Sequence, residues 1–365
     1  MRESFWHSTP LPPDDEVRPP AASSQAAPAR PDAADQTTAG KQTPAGRNEP
    51  PTLSVDPWGH GDHTTIGAAI KAARPGTRIL VRSGLYEEGL VIDKPLEIIG
   101  QGSLEDVIVR ARGRNAVRFR ANIGRVSNLT LEQAGGGEFY GVDIAQGRLE
   151  LEDCDITSAT LVVVAVRGGA DPRLRRNLIH DGQQSGIYVY EQGLGTFEDN
   201  DIFANGYAEI QVSEGGNPTF RRNRIHDGQK GGIYVYKQGL GTFEDNDIFA
   251  NRLSGISVSE GGNPTVRRNR IHDGQWSGIF VYEQGLGTFE DNDIFANAIG
   301  GVVVKEGGNP TVRRNRINRN GYEAVWVYEG GRGTFADNDL SDNVQGAWDV
   351  APECAKHVRR SNNRE

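Results

Sequence analysis

The chain has 365 residues but only two cysteines, Cys154 and Cys354, one methionine, and no excess of positive charge. Two cysteines cannot staple a small secreted scaffold, so each is expected to be a buried free thiol. No stretch approaches the ~18 consecutive apolar residues that a membrane-spanning helix requires. The net charge of -9 argues against a general nucleic-acid binder. The opening MRESFWHSTPLPPDDEV lacks the apolar core of a secretory signal, and a cytoplasmic location is the expectation.

Glycine is abundant instead, at 47 residues, which suggests a turn-rich all-β architecture. Residues 1–52 hold ten of the eighteen prolines among Ala, Ser, Asp and Thr. Such a segment buries too little apolar surface to offset its ordering entropy and is expected to be a disordered tail. From 53 to 365 the pattern is that of one folded unit. Its first feature is an amphipathic helix over 64–73, with Ile66, Ala69, Ile70 and Ala73 on one face and Pro75-Gly76 behind it.

Internal repetition decides the fold. Pro172, Pro218, Pro264 and Pro310 recur every 46 residues, three of them within GNPT. Each unit splits in two. Asn177, Asn200, Asn223, Asn246, Asn269, Asn292, Asn315 and Asn338 stand 23 apart, each followed two residues later by Ile or Leu. Cys154 and Ile156 continue the register one coil upstream. Pairs such as Ile187/Val189, Ile233/Val235 and Ile279/Val281 alternate as in strands with one buried face. Short strands repeating at 23 residues bury that face only by coiling and stacking. The expectation is a single-stranded right-handed parallel β-helix of about twelve coils, with a helix plugging its N-terminal end and the double-coil repeat regular over 170–343. Stacked Asn amides would bond from coil to coil. No cap follows the last repeat, so a partner or a second copy could cover that end.

Charge explains the doubling. Arg175-Arg176, Glu198-Asp199, Arg221-Arg222, Glu244-Asp245, Arg267-Arg268, Glu290-Asp291 and Arg313-Arg314 alternate in sign from coil to coil. Stacked one strand spacing apart, unlike charges pair. The RRNR motifs therefore read as a register device, and neither nucleic acid nor membrane is an expected partner.

Candidate chemistry is sparse, and no cofactor or metal is expected. His180-Asp181, His226-Asp227 and His272-Asp273 lie two coils apart, too far to converge on an ion, and read as polar turns. Gly59-His60-Gly61-Asp62-His63 is a single loop. The phosphate-binding glycine-rich lysine loop is missing. A more informative pattern is a row of outward aromatics on every second coil: Tyr188/Tyr190, Tyr234/Tyr236, Phe280/Tyr282 and Trp326/Tyr328. A column of Glu191, Glu214, Glu260, Glu283, Glu306 and Glu329, interrupted by Lys237, runs beside it. Together they suggest an exposed face for a protein segment or a glycan.

Units such as NPTFRRNRIHDGQKGGIYVYKQGLGTFEDNDIFAN resemble the right-handed β-helix repeats of carbohydrate-binding and sugar-hydrolase proteins. They are similar to the substrate-recognition β-helix of an animal F-box ubiquitin-ligase subunit and its bacterial relatives. TTIGAAIKAARPGTRILVRSGLYEEGLVIDKPLEIIGQG resembles the opening of pectinesterase-like β-helices. The resemblance implies a pectin-lyase-like solenoid and a recognition scaffold. The paired-Asp motifs of pectinesterases and polygalacturonases are not found here, nor is an F-box segment. A non-catalytic recognition module is thus the first expectation. A carbohydrate-active lyase, esterase or hydrolase is the alternative, its site among Glu132, Glu138, Asp143, Glu150, Glu152 and Asp153 in the irregular coils 101–150. A passive spacer is the third.

Overall fold

The computed structural model describes residues 50–365. The expected tail lies outside the described residues except for its last three, and Thr52 already pairs with Arg78 in the first strand. Short strands stack into three wholly parallel sheets. Sheet A has 14 strands, from Thr52–Val55 to Val358–Ser361. Sheet B has 11, from Gly84–Tyr86 to Arg316–Asn318, and sheet C has 12, from Leu90–Ile92 to Trp348–Val350. Fourteen strands in sheet A make thirteen coil-to-coil steps, slightly more than the twelve coils expected.

One coil shows why the sequence folds this way. Thr196–Glu198 lies in sheet A, Asp201–Phe203 in sheet B and Ile210–Val212 in sheet C. Between them the chain bends at Asp199, Ala204 and Glu214, with φ of 55°, 57° and 49°. A single left-handed residue turns the backbone sharply at each corner, and the same positions repeat coil after coil. Phe197, Ile202, Ile210 and Val212 point inward and are fully buried. Each buried side chain contributes roughly 1.5–3 kcal/mol, enough in sum to hold strands only three residues long. Phe197 stacks on Phe220 at 4.2 Å, in the register the 23-residue step requires.

The asparagine ladder forms as expected. Asn200 Oδ1 accepts from the Asn177 backbone N–H and from Asn177 Nδ2, both at 3.0 Å, while Asn200 Nδ2 donates to the Leu174 carbonyl. The ladder continues to Asn338 and then Asn363, and Cys154 N–H donates to Asn177 Oδ1 at its upstream end. A second, shorter ladder runs through Asn297, Asn320 and Asn343 at the corner between sheets B and C. Both cysteines are buried and unpaired.

The helix spans Ile66–Ala72 and contacts the first strands of sheets A and C. Thr65 caps its start, and Glu88 accepts from the Ile66 and Gly67 N–H groups at 2.7 and 2.8 Å. Lys94 Nζ donates to the Ile70 and Ala73 carbonyls at the other end. Orphan backbone groups at both ends are thus satisfied by side chains from the coil beneath.

Candidate functional site

Arginines of the repeat pair as the charge alternation requires. Arg176, Arg222, Arg268 and Arg314 each reach back one coil to Asp153, Asp199, Asp245 and Asp291 with Nε–O distances of 2.7–2.8 Å. Arg224, Arg270 and Arg316 do likewise to Asp201, Asp247 and Asp293 on sheet B. The three histidines are not loose turn residues. His226 lies between Asp201 at 2.8 Å and Asp227 at 2.7 Å, and His180 and His272 are held alike. They stack alternately with Phe203, Phe249 and Phe295 at 4.5–5.5 Å. The loop at 59–63 is tied down structurally, with Asp62 accepting from the Ser54 N–H and hydroxyl.

The outward aromatic row is where the structure departs from the sequence reading. Tyr188, Tyr190, Tyr234, Tyr236, Phe280 and Tyr282 stand on the outer face of sheet C, but only 3–9% of their surface is exposed. Each pair stacks face to face, as Tyr234 and Tyr236 do at 4.5 Å. The rings then lie over the small residues of the next coil. Tyr188 Oη bonds Ser213 Oγ at 2.8 Å and Tyr236 Oη at 3.1 Å, and Tyr234 Oη bonds Ser259 Oγ. Trp276 closes edge-on against Phe280. Alternation of large and small residues lets the rings cover one another, so pointing outward is not being exposed. Trp326 and Tyr328 remain half-exposed. The glutamates sit at the corner after sheet C, all with φ of 42–49°. Glu214, Glu260 and Glu329 are exposed, and Glu191, Glu283 and Glu306 half-exposed. Lys237 adopts the same corner at φ 43°, so the backbone does not demand a carboxylate there.

The irregular coils carry a different constellation on the same sheet. Along the outward column of sheet C, Arg118 pairs in register with Asp143, and Asp143 with Ala165. Asp143 is 2% exposed and lies between two guanidiniums, Arg118 Nε at 3.5 Å and Arg167 Nε at 3.2 Å. Burial acts to lower the Arg167 pKa, but Asp143, with Tyr190 and Tyr140 behind it, carries it above its ordinary value. Tyr140 and Tyr190 meet hydroxyl to hydroxyl at 3.4 Å. Burial, and then Tyr140, push Tyr190 far above the usual phenol range, so it stays protonated. Arg112, Arg114 and Arg120 flank the strand and are exposed, with no carboxylate partner among the described residues. The Arg114 stem lies across Gly89, where a Cβ would come within 2.7 Å of it.

The remaining acidic candidates of this region are committed elsewhere or stand apart. Glu132 binds Arg110, Glu152 binds Arg125 and Arg175, and Asp153 binds Arg176. Glu138 is exposed and Glu150 half-buried. A shallow hollow of about 310 Å³ opens at the corner between sheets C and A, lined by Asn122, Ile123, Gly147, Arg148, Gly169 and Asp171. Its charged groups, Arg148 and Asp171, pair with each other at 2.8 Å. Sequence reasoning named Asp143 and Tyr190 but missed Arg118, Arg167 and Tyr140. The available signal was ARGRNAVRFR, four arginines within nine residues and outside the alternating repeat.

A model of the right-handed β-helix region matches residues 115–252 and 230–363. The chain belongs to the right-handed β-helix family. No curated protein matches it. Among solved structures this β-helix protein is similar to the A-module of mannuronan C-5 epimerase AlgE6 from Azotobacter vinelandii, with a TM-score of 0.67 and 17% identity. That match covers 82% of this chain and 92% of the module. The AlgE4 A-module of the same organism gives 0.62 and 18%, covering 80% and 94%. A mutant of the periplasmic alginate epimerase AlgG gives 0.62 and 13%, covering 79% and 77%. At these identities the likeness is one of fold.

Proposed function

We propose that this β-helix protein binds and acts on an anionic, uronic-acid polysaccharide at the outer face of sheet C. The observation that carries the reading is the Arg118–Asp143–Arg167 cluster with the Tyr140–Tyr190 hydroxyl pair beside it. Two guanidiniums share one carboxylate, which leaves one positive charge for a sugar carboxylate. Neutralising that carboxylate acidifies the adjacent C–H bond; solvent water or hydroxide takes that proton, and the protonated Tyr140–Tyr190 hydroxyl pair supplies one back to the carbanion or to the leaving glycosidic oxygen and regains it from solvent. Abstraction followed by return of a proton inverts the carbon, whereas abstraction followed by loss of the neighbouring glycosidic oxygen cleaves the chain. The fold is shared with alginate epimerases, which supports a uronate as substrate class.

The competing recognition reading drew on an exposed aromatic row. Burial of Tyr188, Tyr190, Tyr234, Tyr236, Phe280 and Tyr282 removes that support.

The test is incubation with polymannuronate and polygalacturonate in deuterated water. Proton NMR reads exchange at the carbon beside the carboxylate, and ultraviolet absorbance reads unsaturated ends. Exchange or cleavage is expected, with at least a tenfold loss for Arg118→Ala and for Tyr140→Phe. Absence of both binding and exchange across the panel would end the proposal.

A further inference from the structure

The outer face of sheet C changes sign along the solenoid. In the coils holding Leu90–Ile92, Val117–Phe119, Val142–Ile144 and Val164–Val166, it carries Arg112, Arg114, Arg118, Arg120 and Arg167. The first of these coils carries the exposed Glu87 and Asp93 and the half-buried Glu88, and the other three only the exposed Glu138 and the buried Asp143. One coil further on, the sign reverses. Gly169 N–H donates to the Glu191 carbonyl, which places the first glutamate of the corner column directly above the Arg167 coil. Glu214 and four more glutamates follow, relieved by Lys237 and by Lys305, which bonds Glu306 at 2.6 Å. Over that stretch the stacked aromatic pairs close the face, and the Tyr188, Tyr234, Tyr236 and Tyr282 hydroxyls bond to one another or to serines.

Resting on the polyuronate reading, we infer that the solenoid grips only a short segment of polymer, over the three coils of sheet C that hold Val117–Phe119, Val142–Ile144 and Val164–Val166. The glutamate column bounds the site on its C-terminal side. A polyanion lying along the axis meets net positive charge from Arg112 to Arg167 and then net negative charge from Glu191 onward. Repulsion between exposed like charges is local, falling off over a Debye length of about 8 Å at physiological salt, so the boundary is sharp on the scale of one or two coils. With coils ~4.8 Å apart and roughly one sugar ring per coil, the occupied stretch holds about three to four rings. Chain beyond that length finds no further favourable contact and is turned away from the surface. The protein therefore works within chains at a compact site and does not track along them.

Calorimetric titration with purified uronate oligomers, from the dimer through tetramer and hexamer to the decamer, tests this. Wild-type affinity should rise steeply to about the tetramer or hexamer and then level off. The double variant Glu191→Lys with Glu214→Lys keeps a residue type that the corner already accepts at Lys237, and circular dichroism checks that it folds. In that variant affinity should keep rising to the decamer, at least fivefold above wild type for the longest chain. A wild-type affinity that climbs through the whole series overturns the boundary while leaving the polyuronate reading standing. So does a length profile left unchanged by the charge reversal. If oligomers of every length fail to bind wild type, the polyuronate reading falls and the boundary with it.

Discussion

The coils of residues 52–169 and those of 170–343 share the same three sheets, yet they treat charge in opposite ways. In the repeat, nearly every outward arginine finds a carboxylate one coil back, and Arg176, Arg222, Arg268 and Arg314 each touch two. In the N-terminal coils, Arg112, Arg114 and Arg120 have no such partner among the described residues, and Arg118 and Arg167 compete for one aspartate. Duplication copies a pairing together with the partner that satisfies it, so repeated surface neutralises itself. A surface left over for a ligand has to break the copying. The repeat gives the solenoid its length and rigidity, and the proposed site falls mainly in the unrepeated coils.

The sharpest way to break this contrast is to remove a rung from the regular part. Asn246 Oδ1 accepts from Asn223 N–H and Asn223 Nδ2, and its own amide donates to the Phe220 carbonyl. Asn246→Ala strands all three groups in a buried corner, and each unsatisfied group costs about 1–3 kcal/mol. A loss of about 3 kcal/mol or more is expected in urea denaturation, with the Arg118 site unaltered in the remaining folded protein. A loss under about 1 kcal/mol would mean that the ladder marks register without bearing stability.

The next effect tests the one coil where the repeat repairs itself. Upstream of Asn297 the second ladder alternates glycine and asparagine, and at Gly228 the residue that fills the gap is Glu209, which stands where most other coils carry glycine. Its carboxylate is fully buried, accepts from the Asn205 N–H at 3.0 Å and from the Asn205 side-chain amide, and lies 2.9 Å from where a Cβ on Gly228 would sit. Glu209→Gly and Gly228→Asn should each destabilise. Together they should rebuild an ordinary rung, with a favourable coupling of about 1–3 kcal/mol in a double-mutant cycle. Strict additivity would show that the glutamate is not a substitute for the missing asparagine.

How much of this was legible in the sequence follows from what repeats. Asn177 through Asn338, the Arg/Asp pairs and the inward Ile and Val pairs were visible because one copy predicts the next. The solvent state of Tyr234 and Tyr236 was not, because strand alternation tells which way a side chain leaves the sheet and not what lies over it. That depended on Ser213 and Ser259 in the intervening coils, as the cover over Phe280 depends on Trp276 in the turn before it. The glutamate column was visible as a column, but not its left-handed backbone. The Arg118–Asp143–Arg167 cluster was hidden for the opposite reason. The spacing between coils there is 25 residues from Arg118 to Asp143 and 22 from Val142 to Val164, so no fixed period brings the partners together.

The smallest expected effect concerns the histidine–phenylalanine stack, which has no counterpart in the N-terminal coils. Each ring nitrogen of His180 and His226 faces a carboxylate, and a carboxylate only accepts, so both nitrogens must carry protons. Burial alone would lower these pKa values, but Asp155 and Asp181 raise that of His180, and Asp201 and Asp227 that of His226. A folded pKa above the unfolded one means that the stabilisation is complete at acid pH, below about 6.5, and disappears as pH rises through the folded value. Burial of Glu209, whose pKa is pushed up to about 8 against its Asn205 donors, adds a loss of the same sign that starts lower, near the free carboxyl value of about 4.3, and ends near pH 8. Beyond that Glu209 share, the histidines should cost the protein about 1–2 kcal/mol between pH 6 and pH 9, read as a falling urea midpoint. His226→Gln, which keeps a donor but cannot gain the proton, should flatten part of that slope at a cost in stability at pH 6. A slope unchanged by the substitution would show that these imidazoles do not titrate in that range, and that the six-coil stack is held by ring contact alone.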